Sequence, residues 1–215
     1  MRPTANTPEA WNNLLGKYGE VVTFLGAESP DYWGSGQWEW ESTILPALQP
    51  LGAGARLLEW GAGSGRLTKA VLATLEGLGE LYAYDPSGAA RELWLQHFPE
   101  GIIVGTEELH RLPRDFTHLF CIFVMHHMSY DDLWELFGFT ETHLAPGGIL
   151  TFDYISITSP IAEGFLRRKE TSEWPSYMWH PGQIEALLRF RAPSLEWQRT
   201  VDRPRELQVW RKRHD

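Results

Sequence analysis

The chain has 215 residues, of which 43% are hydrophobic and 22% charged, and its formal net charge is -9. This balance predicts one folded domain with a substantial core, and the acidic surface excludes a nucleic-acid backbone as the main partner, because such binding requires clustered lysine and arginine. The single cysteine excludes an internal disulfide, and the lack of an apolar leader or of a long apolar run predicts a cytoplasmic protein without a membrane span.

The first elements in chain order are two predicted helices at residues 8–17 and 39–49, separated by a predicted loop at 27–36 that is rich in turn-forming residues. Pro50 ends the second helix. We interpret residues 1–50 as a helical lid extension and residues 51–215 as the main domain.

Strands and helices alternate from residue 56 onward. Strands are predicted at 56–60, 81–84, 102–104, 117–124 and 149–152, helices at 67–78, 87–97, 131–143 and 181–190, and a closing antiparallel pair at 194–201 and 205–212. The stretch between the fifth strand and the last helix is predicted to be irregular. This alternation predicts an α/β fold with a parallel sheet and helices on both faces, in which ligands bind at the carboxyl ends of the strands.

The first predicted strand runs directly into a glycine-rich turn, residues 59–66, with the sequence Glu-Trp-Gly-Ala-Gly-Ser-Gly-Arg. Alternating glycines let the backbone approach a ligand with no Cβ in the way, and the next helix points its free amide donors at that ligand. A dinucleotide fingerprint requires glycine where this chain has Arg66. The Glu59 carboxylate would repel a pyrophosphate but suits an amino-acid ammonium or a sulfonium.

A second acidic residue, Asp85, ends the second predicted strand. A carboxylate at this place can accept hydrogen bonds from both hydroxyl groups of a ribose. The alternative is that Asp85 only caps the helix that begins near Ser87.

With these residues identified, residues 56–154 resemble the class I S-adenosylmethionine-dependent methyltransferase family. Residues 59–65 match its first motif, Asp85 its second, 124–128 the stretch after its fourth strand, and 144–150 its post-helix turn. The resemblance implies a doubly wound, mostly parallel seven-stranded α/β sheet of the Rossmann-like methyltransferase type, closed by an antiparallel strand. It also implies S-adenosyl-L-methionine as the cofactor.

The resemblance also implies the residues of the cofactor site. Glu59 and the loop glycines would face the methionine part, and Asp85 the ribose. Many family members carry an Asp beside the adenine, whereas this chain has Thr106 at that place, with Glu107 or Glu108 as candidate substitutes. The expected cofactor-binding residues are Glu59, Gly61, Ala62, Gly63, Gly65, Asp85, Pro86, Thr106, Glu107 and Phe123.

His126 and His127 follow the fourth predicted strand and are the candidate catalytic residues. An imidazole, whose unperturbed pKa is about 6.5, can take a proton from a hydroxyl acceptor. The alternative is that the pair has a structural or cofactor-lining role, because methyl transfer from a sulfonium requires mainly alignment and water exclusion. No third ligand is spaced with the pair as in a metal motif, so no metal is expected.

Tryptophan is unusually abundant, with 11 in the chain, and it concentrates near the start and near residue 175. We predict that the N-terminal extension and an insertion at about residues 155–180 form an aromatic lid, which would exclude water and suit a flat or apolar small molecule. For each tryptophan alone, core packing is the alternative. The expected substrate-binding residues are Trp33, Trp38, Tyr154, Trp174, Tyr177, Trp179 and His180.

Together these observations predict a methyltransferase, monomeric or homodimeric, for a small apolar or aromatic acceptor, with transfer to oxygen favoured over nitrogen or carbon. A catalytically inactive cofactor-binding regulatory or scaffold protein of the same fold is the alternative. A nucleotide-dependent oxidoreductase is disfavoured by Glu59 and Arg66. Protein or peptide acceptors remain open.

Overall fold

The computed structural model describes residues 30–48, 51–75, 79–169, 177–201, 203 and 205–214. The strands are β1 (Ala55–Trp60), β2 (Gly79–Tyr84), β3 (Ile102–Val104), β4 (Phe116–Cys121), β5 (Leu144–Tyr154), β6 (Leu195–Val201) and β7 (Glu206–Lys212). The α-helices are α1 (Pro30–Glu39), α2 (Leu45–Leu48), α3 (Arg66–Leu75), α4 (Gly88–His97), α5 (Tyr130–His143), α6 (Ala162–Lys169) and α7 (Pro181–Arg191).

The seven strands form one mixed sheet in the order β3-β2-β1-β4-β5-β7-β6. The β3-β2-β1 group is parallel, as is the β4-β5 pair, while β7 runs antiparallel to β5 and β6. The predicted mostly parallel α/β sheet with an antiparallel closure is therefore confirmed. No helix in the described ranges is long and apolar enough to span a bilayer. The chain divides into two compact units between Leu112 and Pro113, and each is described by itself.

In the first unit, five of the six residues of β1 are buried, as expected for a strand covered on both faces. Helix α3 buries one apolar side, including Leu67 and Val71. Helix α1 continues through a π-helical turn, Trp40–Ile44, into α2. The Trp40 indole Nε1 donates to the Thr74 Oγ1 of α3 at 2.7 Å, so the N-terminal helices are fastened to the helix that follows the glycine turn.

In the second unit, β4 and β5 form its buried centre and the β6-β7 pair closes it. Helix α5 starts with a reciprocal cap, because the Asp132 carboxylate accepts the Ser129 N–H at 2.6 Å and the Ser129 hydroxyl accepts the Asp132 N–H at 3.3 Å. Helix α7 starts at Pro181, and the His180 Nδ1 accepts the Gly182 N–H at 3.1 Å. These caps account for the starts of both helices, which lie within one residue of the predicted starts at residues 131 and 181.

The prediction of a loop at residues 27–36 is wrong for residues 30–36, which belong to α1. Pro30 occupies the first position of the helix, where its missing N–H costs nothing. A Cβ on Gly36 would lie 2.3 Å from the Arg66 carbonyl oxygen. Pro30 and Gly36, which predict a turn by their local propensity, instead start α1 and permit its close approach to Arg66. Packing therefore outweighs local propensity in this segment.

Other boundaries also differ from those predicted. The fourth strand ends at Cys121 instead of residue 124, because Phe123 has a positive φ of 63°, which no strand accommodates. The fifth strand is longer than predicted, and α6 lies in a stretch predicted to be irregular. The predicted helix at 8–17 lies outside the described residues, and residues 76–78 of the predicted helix at 67–78 do as well.

Candidate functional site

The glycine-rich turn after β1 has a backbone that only glycine adopts at little cost. Gly61, Gly63 and Gly65 have φ values of 80°, 56° and 94°, a region that costs other residues roughly 1–2 kcal/mol each. The Gly61 and Ala62 N–H groups both donate to the Tyr84 carbonyl at the end of β2, at 2.8 and 3.0 Å. The start of the turn is therefore held by the neighbouring strand.

Two glycines of this turn serve different purposes. A Cβ on Gly65 would lie 2.3 Å from the Phe98 ring, so Gly65 permits close packing of the turn against α4. At Gly63, apart from its chain neighbours, no atom of the described residues lies within 4 Å of the Cβ position. The space beside the Gly63 Cα is therefore open among the described residues.

Asp85 fastens the centre of the turn from the end of β2. Its Oδ2 accepts the Gly63 N–H and its Oδ1 accepts the Ser87 N–H, both at 2.9 Å. Ser87 itself caps α4, with its hydroxyl accepting the Ala90 N–H at 3.2 Å. Burial raises the pKa of the Asp85 carboxyl, while the Ser87 and Gly63 N–H groups and the Arg91 cation oppose that rise.

Glu59 is a buried carboxyl group at the carboxyl end of β1, with 3% of its surface exposed. The Thr68 hydroxyl donates to its Oε2 at 2.6 Å, and the Trp94 indole Nε1 donates to the Thr68 hydroxyl at 2.8 Å. Burial raises the pKa of Glu59 to about 8, against the lowering effects of the Thr68 hydrogen bond and of Arg66. Glu59 is thus a protonated acid at neutral pH that a neighbouring cation would ionise.

The candidate adenine residues lie just beyond β3, on a 3-10 turn at Thr106–Arg111. The Thr106 hydroxyl lies 3.2 Å from the Tyr84 hydroxyl. The Glu108 Oε2 accepts the Gly105 N–H at 3.2 Å, so this side chain caps the start of the 3-10 turn. The Glu107 side chain is exposed. Pro86 is half-buried directly after Asp85.

These residues fit a cationic amino-acid nucleoside. The first unit brings together an open backbone position at Gly63, a buried acid at Glu59 and the acceptor oxygens of Asp85. A buried acid suits an ammonium group, and a carboxylate suits ribose hydroxyls. Phe123, also predicted to contact the cofactor, belongs to the second unit.

The second unit contains a buried ion pair that sequence reasoning missed. Arg205 donates from Nε to Asp153 Oδ2 at 2.7 Å and from Nη2 to Asp153 Oδ1 at 3.1 Å, and the side chains are 11% and 0% exposed. Asp153 Oδ1 also accepts the Phe123 N–H at 2.7 Å, and the Arg205 guanidinium lies 4.5 Å from the Phe123 ring centre. The strained φ of Phe123 costs about 1–3 kcal/mol, and such strain is common at functional sites.

The histidine turn is built against this ion pair. His126 and His127 lie on the short 3-10 helix Met125–His127, with ring centres 3.7 Å apart. The Nδ1 of His126 lies 2.9 Å from the Arg205 Nη2. Burial first, then His127 and Arg205, hold the pKa of His126 far below its ordinary value.

The aromatic segment predicted to cover the acceptor contacts the same turn. The Tyr177 N–H donates to the His126 carbonyl at 2.6 Å, and the Trp179 indole Nε1 donates to the Met125 carbonyl at 3.2 Å. The two aromatic rings stack with centres 6.2 Å apart. Four predicted acceptor-site residues, His126, His127, Tyr177 and Trp179, are therefore brought together within one unit.

The remaining candidates are placed elsewhere or differently. Tyr154 is fully buried, and its hydroxyl donates to Glu206 at 2.7 Å and accepts from Gln208 at 3.0 Å. Trp38 is 65% exposed, and His180 is exposed at the start of α7. The side chains of Trp33 and Trp174 lie outside the described part of the chain.

Thr68, Trp94, Asp153 and Arg205 were not predicted as site residues. One signal was available for Asp153, because an ionisable residue between Phe152 and Tyr154 at the end of a buried strand requires a partner. The sequence gives no indication of which cation supplies it, since Arg205 lies 52 residues away.

A model of the methyltransferase-domain family matches residues 32–201. The chain belongs to this family and is an S-adenosylmethionine-dependent methyltransferase. No match is found among the curated proteins.

Solved structures share the fold at low sequence identity. A putative methyltransferase of Haloferax volcanii, solved with a methyltransferase activator, is 15% identical over 87% of this chain and 96% of its own, with a TM-score of 0.65. A possible histamine N-methyltransferase of Thermotoga maritima is 16% identical over 87% and 96%, with a TM-score of 0.61. The magnesium protoporphyrin IX methyltransferase of Synechocystis, solved with bound S-adenosylhomocysteine, is 15% identical over 85% and 86%, with a TM-score of 0.60.

Proposed function

We propose that this methyltransferase acts on a small apolar or aromatic acceptor, and that an oxygen atom receives the methyl group in preference to nitrogen or carbon. The observation that carries this proposal is the hydrogen-bonded contact of Tyr177 and Trp179 with the histidine turn. Aromatic rings fastened beside imidazoles provide a surface on which a flat molecule can stack, next to polar groups that can orient it.

The cofactor would be held by the first unit. S-adenosylmethionine supplies a methyl group on a sulfonium, which is already an excellent leaving group. Glu59 would bind the ammonium of its methionine part as a carboxylate. The two Asp85 oxygens each accept one backbone N–H and retain a lone pair, so they could also accept the two ribose hydroxyls.

The contribution of the protein to the transfer would be alignment and exclusion of water. Effective alignment contributes up to about 7–11 kcal/mol in favourable systems, so the reaction does not depend on a general base. Trp179, with 8% of its surface exposed, would shield the acceptor from water. An acidic net charge of -9 supports a small molecule over a nucleic acid as the acceptor.

We further propose that the protein works in the cytoplasm as a monomer or homodimer. The N-terminal extension, residues 1–50, and the insertion at about residues 155–180 would act as the lid. The attachment of Trp40 to Thr74 supports the first part of this arrangement, and the contact of Tyr177 with His126 supports the second.

The test is to incubate the protein with methyl-labelled S-adenosylmethionine and a panel of phenols, aromatic amines, aliphatic alcohols and peptides. We expect label in a phenolic product, and much less of it in the same reaction with the Asp85→Ala variant at a limiting cofactor concentration. Label only in aliphatic or peptide products would contradict the proposed acceptor class. Tight binding of S-adenosylhomocysteine with no labelled product would instead support an inactive cofactor-binding protein.

A further inference from the structure

The contact between Arg205 and His126 determines which ring nitrogen of His126 carries the proton. An arginine side chain has only donor groups and stays charged at any physiological pH. Because its Nη2 lies 2.9 Å from His126 Nδ1, this nitrogen must be the acceptor and carries no proton. The neutral ring therefore has its proton on Nε2.

We propose that Arg205, held by Asp153, is a positioning residue that fixes His126 as its neutral Nε2–H tautomer, so that the histidine turn offers the acceptor an N–H donor at His126 and not a general base. The proposal rests on the proposed function in placing the acceptor at this turn. If the turn supplies a base at all, that base is His127.

The arginine is rigidly fixed in this arrangement. Its two hydrogen bonds to Asp153 form a planar fork, the most specific geometry available to an arginine and a carboxylate. The third hydrogen bond to Asp153, from the Phe123 N–H, fastens the same carboxylate to the chain that leads into the histidine turn. Phe123, whose φ is positive, is thus hydrogen-bonded directly to the ion pair of Asp153 and Arg205.

The charges around His126 also disfavour its protonation. Among the described residues, the titratable and charged groups that face it are Asp153 at the end of β5, Arg205 directly before β7, and His127 on the turn itself. Asp153 is neutralised by its fork with Arg205, and a second proton on His126 would have to displace the Arg205 hydrogen bond. The His126 ring thus stays uncharged over the pH range in which an exposed histidine would gain a proton.

The experiment is nitrogen NMR of the full chain labelled with 15N-histidine, recorded between about pH 5 and about pH 8, the range in which an unperturbed histidine changes charge. The ring signals are assigned with the His126→Gln and His127→Gln variants. We expect His126 to show a protonated Nε2 and an unprotonated Nδ1 at every pH. A protonated Nδ1, or two protonated nitrogens near pH 6, would overturn the proposal.

The positioning role is tested by a double variant, Asp153→Asn with Arg205→Met, which removes both charges together and so leaves neither buried alone. We expect its neutral His126 to populate the Nδ1–H tautomer as well, because no obligatory donor then faces Nδ1. The matched control is Arg203→Met in the same connection, which should leave the His126 signals unchanged. If His126 in the double variant behaves as in the parent, Arg205 is not the cause.

These signals do not depend on catalysis, which separates the two proposals. Failure of every acceptor in the labelling assay would overturn the proposed function and leave the tautomer measurement standing. An unexpected tautomer together with a methylated product would overturn only the role of Arg205.

Discussion

The carboxylate of Asp85 accepts the backbone N–H of Gly63 across 2.9 Å, which joins the end of β2 to the centre of the glycine turn after β1. The sequence predicted both residues as cofactor contacts but not their bond to each other. Asp85 therefore shapes the turn, and we propose that its oxygens also accept hydrogen bonds from a ribose.

Replacement of Asp85 by alanine tests this double role. Asp85→Ala should weaken binding of S-adenosylhomocysteine by about 1.5–3 kcal/mol, as expected for the loss of hydrogen bonds to a charged group. Isothermal calorimetry measures the dissociation constant, and Glu92→Ala on the exposed side of α4 is the control. An unchanged constant would rule out the ribose assignment.

Gly63 and Gly54 form a matched pair for the glycine turn. Both have positive φ and open space at the Cβ position among the described atoms, so valine at either should cost about 1–2 kcal/mol or more of stability through the backbone alone. Only Gly63→Val should abolish S-adenosylhomocysteine binding. Equal affinities of the two folded variants would show that no ligand approaches Gly63.

The raised pKa of Glu59 predicts that stability depends on pH. Between the model-peptide value of 4.5 and the folded value of about 8, the folded chain keeps a proton that the unfolded chain has released. The contribution of Glu59 to the free energy of unfolding should therefore fall as pH rises through this window, by up to about 1.4 kcal/mol per pH unit. His126, whose pKa is lowered in the folded chain, contributes with the opposite sign below about pH 6.5.

Urea unfolding of the cofactor-free protein between about pH 5 and about pH 8 measures this slope. Glu59→Gln, which is uncharged in both states, should shift this slope toward stability that rises with pH, and Glu92→Gln on the exposed side of α4 should leave the slope unchanged. The same slope in Glu59→Gln as in the parent would mean that another group is responsible.

Cofactor binding should release a proton from Glu59. At pH 7 this side chain is mostly protonated, since its pKa is about 8, and an ammonium beside it would stabilise the carboxylate. Calorimetry with S-adenosylhomocysteine in two buffers of different ionisation enthalpy should show release of up to about one proton per ligand. Glu59→Gln should release none. Equal proton release by both proteins would show that the ammonium group does not bind beside Glu59.

Trp179→Phe tests the acceptor surface. It keeps an aromatic ring but removes the hydrogen bond to the Met125 carbonyl, which is worth about 1 kcal/mol. We expect kcat/KM for the acceptor to fall by up to about fivefold, the factor that corresponds to about 1 kcal/mol, because the aromatic segment is then held less firmly against the histidine turn, while the S-adenosylhomocysteine affinity stays the same. Trp197→Phe, at a 56% exposed position on β6, should change neither quantity.

Local sequence determined a large part of the fold and of the cofactor site. Apolar and alternating runs predicted all seven strands, and the capping residue Ser87 predicted the start of α4, because these signals act over a few residues. The glycines of the turn could be read directly, since their positive φ values are a local requirement.

Only the tertiary structure decided the protonation of Glu59 and the tautomer of His126. The sequence predicted a carboxylate at Glu59 and a candidate base at His126. Burial in the folded chain makes the first a neutral acid, and Arg205, 79 residues away in the chain, makes the second a neutral donor. Proton affinity depends on dielectric and on the nearest charges in space, and residues distant in sequence supply both.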